Sequence, residues 1–137
     1  MAMEDPKKHL EIDSTKLDDE LAKQAARYLY VAEQAVNADT EYEAFKAQIG
    51  QLEASLDAKV RGEFEGKKTT EAAIRGQIEL SPDYQKATRN LIGLRARREA
   101  LKALREAFYM RKDLLIQIAI KQRSELESML GATVKAA

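Results

Sequence analysis

Helix breakers are scarce in this chain: of 137 residues only 2 are proline and 6 glycine, and no proline follows Pro82. Proline removes a backbone donor and glycine carries a large entropic cost in a helix, so a chain almost free of both can sustain long helices. The remaining positions are dominated by Ala, Glu, Lys, Leu, Arg and Gln, which lose little side-chain freedom in a helix. Apolar residues recur at three- and four-residue spacing, which predicts an all-α protein. At this length one domain with one core is expected.

Ile12-Asp13-Ser14-Thr15-Lys16-Leu17 reads as a helix start, with Asp13 as N-cap and Ile12 placed to meet Leu17; Thr15 with Asp18 is an equally legal cap. Leu17, Leu21, Ala25, Tyr28, Ala32 and Ala35 then form one apolar stripe, predicting a first helix over 13–37. Asp39-Thr40 restarts the pattern, with Thr40 and Glu43 as a capping box. Tyr42, Phe45, Ile49, Leu52 and Leu56 follow at heptad spacing along a second helix, 40–61. Gly62 and Gly66 bracket a loop at 62–69, and a short helix is expected over 70–79. Ser81 and Pro82 supply an N-cap and a first helical residue for a last helix over 82–130, continuous or broken. Unbroken, it would extend about 73 Å at 1.5 Å per residue. A compact globule of this size has a radius of gyration of about 14 Å, so this helix must bend or leave the subunit. The expected protomer is elongated.

Within that last helix Tyr84, Ala87, Leu91, Leu94, Leu101, Leu104 and Phe108 form an apolar stripe, with basic residues round the rest of the circumference. From Leu114 to Ile120 apolar side chains point in nearly every direction, and a helix apolar all round must be covered on all sides. Contact between subunits accounts for this better than an intramolecular core, which makes Leu104, Phe108, Leu115, Ile116, Ile118 and Ile120 the candidate interface of a homo-oligomer.

Residues that could carry catalysis are few. His9 is the only histidine and lies in a polar segment, and the absence of cysteine rules out disulfides and thiolate zinc. Carboxylates occur as helix-surface residues without apolar shielding, and no phosphate-binding glycine loop is present. The expectation is a protein that is not an enzyme and holds neither metal nor cofactor. Met1 to Leu10 lacks the apolar run of a signal peptide, and Leu114 to Ile120 is far short of the ~20 residues that span a bilayer. A soluble protein of a reducing cytoplasm, with no membrane partner, fits these features.

Net charge is zero, yet residues 1–57 carry 6 basic and 13 acidic groups, whereas residues 58–137 carry 17 basic and 10 acidic. Such asymmetry points to a polyanion bound by the basic part, or to head-to-tail contact between subunits. Lys59, Arg61, Lys67, Lys68 and Arg75 cluster about the predicted loop, with Phe64 among them as a candidate base-stacking side chain. A solvated helix end whose cations offset the macrodipole is the competing reading. A second basic set includes Arg95, Arg97, Arg98, Lys102 and Arg105, where Arg95 can pair with Glu99 one turn on.

Several of these stretches resemble the UvsY family of tailed-phage recombination mediators. The run Ile12 to Leu17 is similar to an identical run near the family's N-terminus. Lys59-Val60-Arg61, followed by Glu63, Phe64 and Gly66-Lys67, resembles its Lys-x-Arg element, and Leu80-Ser81-Pro82-Asp83 resembles the Leu-Ser-x-Asp that precedes its last long helix. Gly62 stands where the family has a leucine, and the loop after it is shorter. The resemblance implies a ring of six or seven subunits that binds single-stranded DNA. It would help a RecA-like recombinase replace single-strand-binding protein, in the cytoplasm of an infected bacterial cell. It further implies that Lys59 and Arg61 touch DNA and that the segment 104–126 assembles the ring. The alternative from another class is a DNA-independent helical adaptor, structural or chaperone subunit.

Overall fold

The computed structural model describes residue 3 and residues 5–136, with side chains through residue 134. Two short 3-10 turns, Pro6–Leu10 and Ser14–Lys16, precede three α-helices: α1 Leu17–Glu63, α2 Glu71–Leu80 and α3 Pro82–Ala136. No strand occurs among the described residues, so the all-α expectation holds.

The two helices expected over 13–37 and 40–61 are one. Thr40, read as a cap, lies inside α1 and donates its hydroxyl to the Val36 carbonyl at 3.0 Å, the back-bonding that lets threonine sit mid-helix. Asp13 does cap, but it caps the 3-10 turn: its carboxylate accepts from the Thr15 amide at 3.0 Å. At the other end α1 continues through Gly62. The chain then reverses at Gly66, whose φ of +78° makes it the one described residue in a left-handed conformation, a position that suits glycine. Thr70 opens α2, its hydroxyl accepting from the Ala73 amide at 3.1 Å. Ser81 closes α2 and starts α3, since its amide donates to the Ile78 carbonyl while its own carbonyl accepts from Gln85. The last helix is unbroken for 55 residues.

Contacts sort the chain into two units where a single core was expected, and α1 and α3 each contribute to both. One unit, Val36–Ala100, packs the second half of α1, α2 and the first part of α3 round Ile49, Val60, Ile74, Ile78 and Tyr84. Phe45, Leu56, Phe64, Ala87 and Leu91 close over that centre. The other unit joins Met1–Ala35 to Leu101–Ala137, and its buried apolar residues are Val31, Ala35, Phe108 and Leu115.

In this second unit the buried face of α1 follows only part of the stripe that periodicity selects: Ala35 is buried, and Leu17, Tyr28 and Ala32 are half-buried. Leu21 and Ala25 are exposed, and in their place Glu20 and Gln24 are turned inward. The reason is Arg111, which is 2% exposed. Its guanidinium donates to the Glu20 carboxylate, to Gln24 Oε1 at 2.7 Å, and to the carbonyls of Leu10 and Glu11 at 3.1 and 2.9 Å. Gln24 in turn donates to the Phe108 carbonyl at 2.6 Å. Every buried polar atom here has a partner, as burial of charge demands. Arg111 thereby fastens the N-terminal segment to the helix pair.

Candidate nucleic-acid interface and assembly surface

The α1 to α2 connection gathers the first basic set, and the structure divides its members into two kinds. Lys59, Lys67 and Lys68 are exposed and form no ion pair among the described residues. Arg61 is engaged. Its Nε donates to Asp57 at 2.8 Å, one turn back, while Nη1 and Nη2 donate to the two Glu71 oxygens at 3.0 and 2.6 Å. These bonds hold the Glu71 carboxyl below its ordinary range and raise the Arg61 pKa. The pairing links the end of α1 to the start of α2. Arg75 is also engaged: it donates to Glu79 at 3.1 Å and to the Tyr84 hydroxyl at 2.9 Å, and Glu53 lies 3.5 Å away. Phe64, read as a candidate base-stacking ring, is half-buried and packs against the apolar centre. Sequence proximity thus assembled six candidates, of which three lysines present unpaired charge.

The second basic set is largely taken up across helices. Arg97 reaches Glu41 at 2.7 Å, and Arg98 lies 3.8 Å from Asp39, 3.9 Å from Glu43 and 3.0 Å from Glu99. Arg98 also stacks over the Tyr42 ring at 3.9 Å, with Arg95 beside it at 5.9 Å. Arg95 donates to the Tyr42 hydroxyl at 3.4 Å, and the bond to Glu99 expected for it is made by Arg98. Lys102 and Arg105 sit elsewhere, in an open groove of about 460 Å³ with Tyr28, Glu106 and Tyr109. The Tyr28 and Tyr109 rings are 6.2 Å apart, and the Lys112 ammonium lies 4.2 Å from the Tyr109 centroid.

The six candidate interface residues also separate. Phe108 and Leu115 are 0% exposed and belong to the protomer's own core, so they are not available to a second copy. Leu104 and Ile118 are half-buried. Ile116 and Ile120 are 44% and 57% exposed, one turn apart on the outer side of α3. Beside them runs an apolar groove of about 340 Å³ between Leu21, Ala25 and Tyr28 of α1 and Tyr109 and Lys112 of α3. Gln122 meets the Ser14 carbonyl at 3.0 Å; beyond it α3 carries Leu126, Met129, Leu130 and Val134, all exposed. Sequence periodicity placed Leu21 and Ala25 on an apolar stripe of α1 without showing that they lie open to solvent. The signal that could have found it is the further apolar series Leu21, Ala25, Leu29 and Val36, which falls on the solvent side of α1.

No helix is long and apolar enough to cross a membrane, and no cluster of three or more potential metal ligands occurs, among the described residues. Compared with known proteins, the chain is matched by no family model, no curated protein and no solved structure.

Proposed function

We propose that this protein is a single-stranded DNA-binding recombination mediator that works as a homo-oligomer. In this reading it loads a RecA-like recombinase onto strands covered by single-strand-binding protein. The observation that carries it is the end of α1 and the connection to α2, where Lys59, Lys67 and Lys68 form no ion pair among the described residues while Arg97, Arg98 and Arg111 are held by acids of α1. The Lys-x-Arg resemblance falls on the same turn. Three lysines on one protomer bind phosphate weakly, because each contact is an exposed pair in high dielectric. Six or seven copies on a ring would raise apparent affinity by a factor of about 10² to 10⁴ through effective concentration alone. Assembly through Ile116, Ile120 and the exposed end of α3 supplies those copies.

The test is salt-dependent binding of a labelled oligonucleotide. Affinity should fall with a log-log slope of about −0.7 per phosphate neutralised, and should scarcely depend on base sequence. Replacing Lys59, Lys67 and Lys68 with Ala should weaken binding and recombinase loading together while leaving the oligomer's mass unchanged. A second reading, a DNA-independent helical adaptor, draws on the exposed apolar face of α1 and α3, which calls for a partner whether or not DNA is bound. Failure of the parent protein to bind single strands at low salt would select it.

A further inference from the structure

Arg61 and Glu71 form the tightest contact of the turn, yet their side chains are 47% and 79% exposed. The carboxylate meets the guanidinium in two-pronged geometry, at 3.0 and 2.6 Å, which is the geometry a phosphodiester's two free oxygens adopt on arginine. Lys59 lies two residues before Arg61, and Lys67 and Lys68 lie between Arg61 and Glu71 in the chain. Glu63 and Glu65 are also exposed in this stretch and form no ion pair among the described residues. Glu71 is thus singled out by geometry and not by being the only acid at hand.

We propose that Glu71 is an internal stand-in for a backbone phosphate: it occupies Arg61 in the free protein, and single-stranded DNA binds this turn by displacing it. The inference rests on the DNA-binding reading above. Exposed ion pairs carry little net free energy because both groups are well hydrated when apart, so one anion exchanges readily for another. The exchange leaves the fold in place. Arg61 keeps Asp57 at 2.8 Å, and Thr70 continues to cap α2 through the Ala73 amide. Once displaced, Glu71 is a like charge beside the bound strand. It therefore lowers affinity for any single anion and favours a polyanion that brings several phosphates to Lys59, Lys67 and Lys68 at once.

Anisotropy titrations of a labelled oligothymidylate at low salt test this. They compare the parent, Glu71→Gln, Glu65→Gln, Arg61→Ala and the Arg61→Ala, Glu71→Gln double variant, with circular dichroism verifying each fold. Glu71→Gln should tighten binding roughly two- to fivefold, the span that an exposed pair commands, and clearly more than Glu65→Gln. In the Arg61→Ala background the gain should vanish. Should Arg61→Ala fail to fold, Arg61→Lys, which cannot grip two oxygens in parallel, takes its place in the cycle. Equal gains from Glu71→Gln and Glu65→Gln, or a gain that survives loss of the guanidinium, would show that Glu71 acts only through net charge and overturn the proposal. A parent that binds while Glu71→Gln leaves affinity unchanged overturns the proposal alone. Binding by none of the proteins removes the DNA-binding reading with it.

Discussion

Replacing Arg111 with Met is the sharpest stability test, since it exchanges a long charged side chain for an apolar one of similar reach at a site only 2% exposed. In the parent the guanidinium satisfies Glu20, Gln24 and the carbonyls of Leu10 and Glu11. Methionine satisfies none of them. Breaking a buried pair by removing one partner costs about 3 to 5 kcal/mol, because the remaining charge is left uncompensated. Arg27, 3.5 Å from the other Glu20 oxygen, still offsets part of that charge and places the expectation near the lower end, about 3 kcal/mol. Urea unfolding followed by far-ultraviolet circular dichroism, at one fixed protein concentration, measures the loss. Because two of the lost acceptors belong to the N-terminal segment, trypsin should also cut faster at Lys7 and Lys8 in the variant. Adding Glu20→Leu should restore most of the stability, as an apolar replacement of a whole ion pair is close to neutral. A loss below about 1 kcal/mol for the single variant, within the range of an exposed pair, would refute the claim that this cluster holds the unit together.

If the proposed oligomer forms through this surface, Ile116→Glu with Ile120→Glu should lower the light-scattering mass while the protomer stays folded, since both side chains are already exposed within it; an unchanged mass would remove this surface from the proposed assembly. Phe108→Ala should act in the opposite way, costing about 3 to 5 kcal/mol of stability through the cavity it leaves, with any change in mass following only from loss of folding. The Glu71 carboxyl should titrate below its ordinary value of 4.5, since Arg61 bonds favour its charged form. Its contribution to stability is then full above the unfolded value and lost as pH falls through the lower folded one. Carbon-detected NMR of that carboxyl, with and without Arg61→Ala, checks the sign, and a midpoint unmoved by the substitution would contradict the pairing.

How much of this was legible in the sequence depends on how local each signal is. Thr70, Ser81 and Pro82 mark helix ends through bonds to near neighbours, so α2 falls at Glu71–Leu80 where 70–79 was expected, and α3 begins where predicted. Thr40 and Glu43 carry the same vocabulary without its meaning. A threonine hydroxyl serves equally as a cap or as a back-bonded group within a helix, and only the continuous stripe from Ala38 through Tyr42 to Ile49 shows which applies. Part of the inward face of α1 was illegible for a further reason: Glu20 and Gln24 belong inside because of Arg111, a residue 91 and 87 positions away.

The charge asymmetry turns on the same distinction between local and distant signals. Glu41 with Arg97, Asp39 with Arg98, Glu53 with Arg75 and Glu20 with Arg111 each join the acidic part of the chain to the basic part within one unit. Part of the excess of one sign in each half is therefore met by pairs between helices of the same unit. Much of the charge that seemed to await a polyanion or a second subunit is answered inside the protomer. Lys59 in the last turns of α1 and Lys67 and Lys68 in the connection after it form no such pair among the described residues, and that is the ground on which the DNA-binding proposal rests.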